Sequence, residues 1–342
     1  MRYISELIHE DRIMQRGKKS ILLKSGSLPC GLKSRIMFSK FPRICKEGNK
    51  VNILALGDVG GTVLLGLKLL GGVTVDTIGI YDLNEKLLSR YEREINQIYF
   101  PDGRKLPQVE ILEESSLFDC NMFVFCASKG VPPIGTAGDV RMSQLEANSQ
   151  LVELYAGRAA ECSFEGIFAV VSDPVDPLCK AAVTAGLKEE QVQGYGLGVM
   201  NARAAYFASQ SSEFASFHDE GRAFGPHGED LVIANSLEHY DDCLSRTLTR
   251  LTVNSNMDTR ADGFKPYIAP AISSGAISLL ETLKGGWNYS SVYLGKGAEG
   301  AFLGCRNRRK NGLIEIEDLP LDNTLYERIE HAYNNLKQIA LR

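Results

Sequence analysis

The sequence predicts an α/β fold: a doubly wound parallel sheet followed by an α+β unit. Three observations carry this. From residue 51 onward, apolar runs of strand length alternate with segments of helical period. That is the pattern of a parallel sheet covered by helices on both faces. The first such run, Val51-Asn52-Ile53-Leu54-Ala55-Leu56, meets Gly57-Asp58-Val59-Gly60-Gly61 and an apolar helix to Leu70. After about residue 196 the alternation gives way to mixed helices and strands. At 342 residues the chain exceeds one ordinary core. We therefore expect two domains, 51–195 and 196–342, behind an N-terminal extension, 1–50.

Taken in order, strands are expected at 51–56, 77–81, 109–112, 122–127 and 167–171, with another near 192–195. Helical periodicity runs over 83–98 and 143–161. Residues 130–139 are rich in Gly and Pro and follow the strand that ends at Ala127. Ligands of such sheets sit outside the carboxyl ends of the strands, so this stretch is placed to act as a lid. The second half is expected to hold helices at 201–215, 230–253, 270–284 and 322–340, and strands near 290–294, 300–305 and 313–316.

Composition excludes several classes. The chain is 44% hydrophobic and 23% charged, as in an ordinary globular enzyme. Its net charge of −4 gives no global reason for nucleic-acid binding. No apolar run approaches a membrane span, and no secretory core is evident near the N-terminus. Eight cysteines are scattered without a C-x-x-C, which reads as reduced thiols in a cytoplasmic protein, with no metal implied. The charge is uneven: residues 1–50 carry twelve Lys/Arg against four Asp/Glu, so the rest sums to −12. This extension could serve as an address, an anion-binding arm or a subunit contact. Short strands at 20–23 and 35–38 suggest that it is partly ordered, and the reading we favour is a solvated arm packed on the protein's own acidic body.

The stretch from Val51 to Asp82 is the most informative. A buried strand, a glycine turn, a helix and a second strand ending in an acid make up a Rossmann-type nucleotide unit. Gly57 is expected to turn the chain, and Gly60 to let backbone approach a pyrophosphate. Asp58 and Val59 open the helix, whose free N–H groups and positive dipole end face that phosphate. Asp82, 25 residues after Gly57, is placed to accept both hydroxyls of an adenosine ribose. No Lys or Arg directly follows Asp82, which favours NAD over NADP. The fingerprint is imperfect, since Ala55 stands where its first glycine belongs.

Three further groups suggest the chemistry. Arg141 closes the Gly/Pro stretch, Arg203 sits early in a helix opening the second half, and His227 follows it by 24 residues. One fixed guanidinium can grip a substrate carboxylate in a fork. A second, mobile one can polarise a carbonyl as charge develops on its oxygen. An imidazole, which titrates near neutral pH, can move the proton.

With these residues in view, the chain resembles the L-lactate/malate dehydrogenase family over about residues 51–340. The matching segments, after the glycine turn, are Gly130-Val131-Pro132, Arg141 and Glu146-Ala147-Asn148. Then come Val171-Ser172-Asp173-Pro174-Val175-Asp176, Arg203, Gly225-Pro226-His227-Gly228-Glu229-Asp230 and Lys310-Asn311-Gly312. Their order and spacing are specific together. The resemblance implies an NAD-dependent interconversion of a 2-hydroxy acid and its 2-oxo acid. It also implies a homodimer or homotetramer. By this similarity Arg203 binds the substrate carboxylate, Arg141 polarises the carbonyl from the lid, and His227 is the acid/base. Ala127, Ser128, Asn148, Ser172 and Ile272 would join the cofactor site. Ile134 and Ile268 would form apolar walls for the substrate.

Two departures from the family matter. The Asp that orients the catalytic His is expected three residues before the carboxylate-binding Arg, and here Met200 stands there. The segment 171–176 carries Asp173 where the family usually has Asn. We expect the two to be linked, with Asp173 either partnering His227 or binding a cationic group of the substrate. Malate dehydrogenases place an extra Arg early in the lid, whereas residues 132–140 hold no basic side chain. An unpaired second carboxylate would be badly desolvated there, and Asp139 would worsen it. A neutral 2-oxo acid is therefore preferred over oxaloacetate. Two alternatives stay open at this point: a catalytically silent NAD-binding sensor or scaffold, and a dehydrogenase acting on an amino or imino substrate.

Overall fold

The computed structural model describes residues 2–7, 34–37, 47–129, 140–295 and 299–339. In chain order it holds β1 (Ser34–Met37), β2 (Asn49–Leu54), α1 (Asp58–Leu70), β3 (Val75–Tyr81), α2 (Glu85–Asn96), β4 (Gln108–Ile111) and β5 (Met122–Phe125). Next come α3 (Val140–Glu161), β6 (Ile167–Val170), α4 (Val175–Thr184), β7 (Val192–Gly194), α5 (Leu197–Gln210) and α6 (Phe217–Glu220). A hairpin of β8 (Arg222–Phe224) and β9 (Val232–Ala234) precedes α7 (Asp242–Asn254) and α8 (Asn256–Ala261). A π-helix (Pro270–Ile277) runs into α9 (Ser278–Lys284). The chain then forms β10 (Asn288–Leu294), β11 (Ala301–Lys310), β12 (Leu313–Glu317) and α10 (Asn323–Gln338).

Ten strands form one sheet in the order β1-β12-β11-β10-β7-β6-β5-β2-β3-β4. The six from β4 to β7 are parallel, with β2 central between β3 and β5. The chain reverses outward from β2 in both directions, so a crevice opens beyond the carboxyl ends of β2 and β5. Strands β5 and β6 are buried at every residue, which explains their unbroken apolar runs. One core lies on the face covered by α1, α2 and α9, and includes Val63, Leu67 and Leu279. The opposite face is filled by Phe123, Phe125, Phe168 and residues of α3 and α4.

The second half continues this sheet. Ser291 of β10 pairs antiparallel with Gly194 of β7, and β11, β12 and β1 follow antiparallel. Part of the N-terminal extension is thus the sheet's edge strand. Residues 2–7 also lie on the body: Ser5 donates its amide to Asp318, and Ile4 and Leu7 are buried with α10. The strand expected at 20–23 lies outside the described residues.

Two expectations are corrected and one unexpected helix is added. The helix expected over 230–253 is a strand, β9, then a turn, then a helix from residue 242. The consecutive apolar run 231–234 is buried on both sides in a hairpin, and Asp241 caps α7 by accepting from the Leu244 amide at 2.9 Å. Helix α4 was not foreseen, because Pro174 and Pro177 flank its start. Proline is tolerated there, where the N–H groups lack intrahelical partners anyway. The helix expected at 270–284 begins as a π-helix. The six described cysteines are free thiols. No helix among the described residues is long and apolar enough to cross a membrane.

Candidate active site

The nucleotide turn follows β2. Ala55, not Gly57, is its left-handed residue, at φ 71°. Gly57 has an ordinary φ of −65°. Its contribution is space, since nothing lies within 4 Å of where a Cβ would stand. At Gly60, by contrast, a Cβ would come within 1.9 Å of the Ala55 carbonyl oxygen. Gly60 therefore lets α1 pack against the strand end, and Gly57 keeps the approach to the helix terminus open. The first intrahelical bond runs from the Gly61 amide to the Gly57 carbonyl, and no side chain caps Gly57. The amides of Asp58 and its neighbours thus face the open crevice. Val59 is half-buried against the core.

Asp82 is fixed to this turn. Its Oδ2 accepts the Leu56 amide at 2.7 Å and its Oδ1 the Asn84 amide at 2.9 Å. Asp82 and the glycine turn therefore hold one geometry. An open helix terminus beside a backbone-oriented carboxylate fits NAD. Ile272 packs on α1, its Cδ1 3.0 Å from where a Cβ on Gly66 would stand.

Asn148 and Ser172 are tied into backbone. Buried Asn148 accepts the Lys129 amide at 3.0 Å and donates to the Asp173 carbonyl at 2.8 Å. Ser172 donates to the Ala127 carbonyl at 2.7 Å. Ser128 is exposed beside them. These residues lock the end of β5 to the turn after β6. The structure gives Asn148 and Ser172 a bracing role, with their polar atoms directed at main chain.

That brace presents Asp173. Its Oδ1 lies 3.0 Å from His227 Nδ1, with the histidine side chain 12% and the aspartate 59% exposed. Gly196 makes room for the imidazole, because a Cβ there would meet His227 Cβ at 2.8 Å. Arg203 on α5 is buried, its guanidinium bonded to Asn256 and 3.7 Å from the Met200 sulfur. Burial lowers its pKa, and the negative charge of Asp173 opposes that shift. Met200 is 3% exposed in an apolar cluster with Val199 and Ala204. The structure thus brings Asp173, His227 and Arg203 into one site, with Asp173 bonded to the imidazole and its charge acting on Arg203.

The last residue of the segment 171–176 is Asp176. It lies in the first turn of α4, 4% exposed, and accepts bonds from the Ser291 side chain and the His227 amide. Its Oδ1 has no hydrogen-bond partner among the described residues. Burial pushes its carboxyl up to about 6, against the effect of those donors and of His227. Its motif placed it near the site, but only the fold shows it beneath the histidine.

Arg141 stands in the first turn of α3. Ile134, with the whole of 130–139, lies outside the described residues. Ile268 is 65% exposed ahead of the π-helix.

Residues 49–194 match the family model described as lactate/malate dehydrogenase, NAD binding domain. An L-lactate dehydrogenase of Corynebacterium glutamicum is 26% identical over 323 residues, 85% of this chain and 97% of that protein. A lactate dehydrogenase from a Medee basin deep-sea metagenome library superimposes with a TM-score of 0.69 at 18% identity, over 85% of this chain and 98% of that one. A malate dehydrogenase from Archaeoglobus fulgidus, in complex with NADH, gives 0.69 at 18% identity, over 84% and 97%. At these identities the two structures speak for the fold. The class is thus an NAD-binding α/β oxidoreductase. Residues 49–194 are thus similar to the NAD-binding domain of the lactate/malate dehydrogenases, and the chain as a whole shares the fold of those enzymes.

Proposed function

We propose that this chain interconverts a neutral 2-hydroxy acid and its 2-oxo acid, as an L-lactate dehydrogenase does, with NAD as cofactor. The observation that carries this is the 3.0 Å contact between His227 Nδ1 and Asp173. It supplies the carboxylate that Met200 does not.

Bound NADH supplies the hydride for reduction. Residues 51–195 would hold it: Gly57, Asp58, Val59 and Gly60 at the phosphates, Asp82 at the ribose, and Ala127, Ser128 and Ile272 at the nicotinamide half, with Asn148 and Ser172 bracing the backbone of that half. Residues 196–342 supply the substrate half. Arg203 grips the substrate carboxylate; its burial strengthens the pairing by excluding water. Asp173 fixes the imidazole tautomer through Nδ1, leaving Nε2 to give or take the proton at the substrate oxygen. Arg141 enters with the lid and polarises the carbonyl. Ile134 and Ile268 offer apolar contact to the substrate side chain. The preference for a neutral side chain rests on the absence of basic residues in 132–140. The protein works in the cytoplasm as a homodimer or homotetramer.

The test is turnover of Asp173→Asn on pyruvate, branched and aromatic 2-oxo acids and oxaloacetate, with NADH binding followed by fluorescence. An amide cannot stabilise the imidazolium, so kcat should fall about 10²-fold or more while NADH binding persists. Unchanged turnover would refute the role of Asp173. A wild type that turned over oxaloacetate best would refute the neutral side chain. NADH binding with no turnover on any of these acids would make the protein a silent NAD binder, and a requirement for ammonia would make its substrate an imine.

A further inference from the structure

We propose that Lys265 is a cofactor-binding residue that carries a positive charge from the second half of the chain to the pyrophosphate. Its Nζ lies 3.1 Å from Oδ2 of Asp58, which is 207 residues away in sequence. This inference rests on the dinucleotide reading of the turn.

The argument starts from Asp58. It is the first residue of α1, beside the amides that open into the crevice. A carboxylate there is favourable for the free helix, since it meets the positive end of the dipole. It is unfavourable once a pyrophosphate arrives, because two negative groups then share one anion site. A compensating cation is needed nearby. The stretch 130–140 beyond the neighbouring strand holds no basic side chain. Lys129, just before it, gives its ammonium to Gln150 at 2.9 Å.

Lys265 meets the need. It sits between α8 and the π-helix, and the π-helix packs on α1 through Ile272 and Ala276 against Gly66. The lysine is therefore anchored close to the turn while its side chain stays 82% exposed. A pair so exposed adds little to stability. Its geometry is useful for a ligand: a mobile ammonium with three donors can hold Asp58 and a phosphate oxygen together. In the free protein the lysine screens Asp58. With the dinucleotide in place it spans both anions.

The experiment is equilibrium binding of NADH, ADP-ribose and adenosine to the full chain, wild type, Lys265→Met and Asp58→Asn, at low and high salt. ADP-ribose keeps the pyrophosphate without the nicotinamide, and adenosine lacks both. We expect Lys265→Met to weaken NADH and ADP-ribose about tenfold at low salt and to leave adenosine unchanged. Asp58→Asn should tighten both phosphate ligands several-fold, and both differences should shrink as salt rises. Lys265→Met binding NADH and ADP-ribose as wild type does would overturn the proposal, and so would an equal loss for adenosine. A wild type that binds neither NADH nor ADP-ribose would instead overturn the dinucleotide reading on which it rests.

Discussion

Replacing Asp176 by Asn should make the protein more stable at neutral pH and not at acid pH. Asp176 is 4% exposed beneath His227, and burial raises its carboxyl from 3.8 to about 6. A carboxyl whose pKa is higher in the folded than in the unfolded state holds its proton longer when folded. Between these two values the native protein binds more protons, so stability falls as pH rises through that window. Above about 6 the loss is complete. A shift of roughly two units corresponds to about 3 kcal/mol. Asparagine keeps an acceptor for the Ser291 side chain and the His227 amide. Its NH₂ takes the place of the unpartnered Oδ1, at a constant cost of about 1–3 kcal/mol. The constant offset cancels when two pH values are compared. The measurable quantity is therefore the difference in unfolding free energy between Asp176→Asn and wild type. From urea melts without cofactor at pH 4 and pH 8, it should move in the variant's favour by about 2.5 kcal/mol. Parallel stability curves across that range would refute the reasoning and place the negative charge of Asp176 in a better-solvated setting than its burial implies.

Two other substitutions test separate parts of the site. Ala55→Gly removes a left-handed alanine at φ 71°. The relief of about 1–2 kcal/mol exceeds the added freedom of the unfolded chain, about 0.4–1 kcal/mol, so the urea midpoint should rise; a lower midpoint would show that the turn is unstrained. Arg203→Lys loses the planar fork and should raise the KM for the 2-oxo acid by about tenfold or more with NADH binding intact; an unchanged KM would remove Arg203 from the carboxylate site.

How much of the fold was legible depended on where each segment is buried. Strands β5 and β6 are enclosed on both faces, so Met122–Phe125 and Ile167–Val170 announce themselves as apolar runs. The same enclosure at 231–234, within a hairpin, hides the boundary between that run and the helix after it. Helix α4 was hidden by its prolines. The attachment of β10 to β7 rests on the pairing of Ser291 with Gly194, residues far apart that share no local pattern. The π-helix was also invisible, because one extra residue in a helical turn hardly alters an apolar period.

The site was legible through its departures from the family pattern. Met200 and Arg203 are three residues apart on α5, so a carboxylate at 200 would lie alongside the guanidinium. Here that position is apolar and buried, and the sulfur meets Arg203. The charge comes instead from Asp173, in the turn beyond the end of β6. From there it contacts His227 and its field also reaches Arg203. Its own carbonyl is held by Asn148, whose other end holds the Lys129 amide, next to residues 130–139. The sequence assigned Asn148 to the cofactor by resemblance; the geometry makes it the link between the base of that stretch and the acid beside the histidine. With the carboxylate on this braced turn, the orientation of the imidazole is tied to the backbone at Lys129, where residues 130–139 begin.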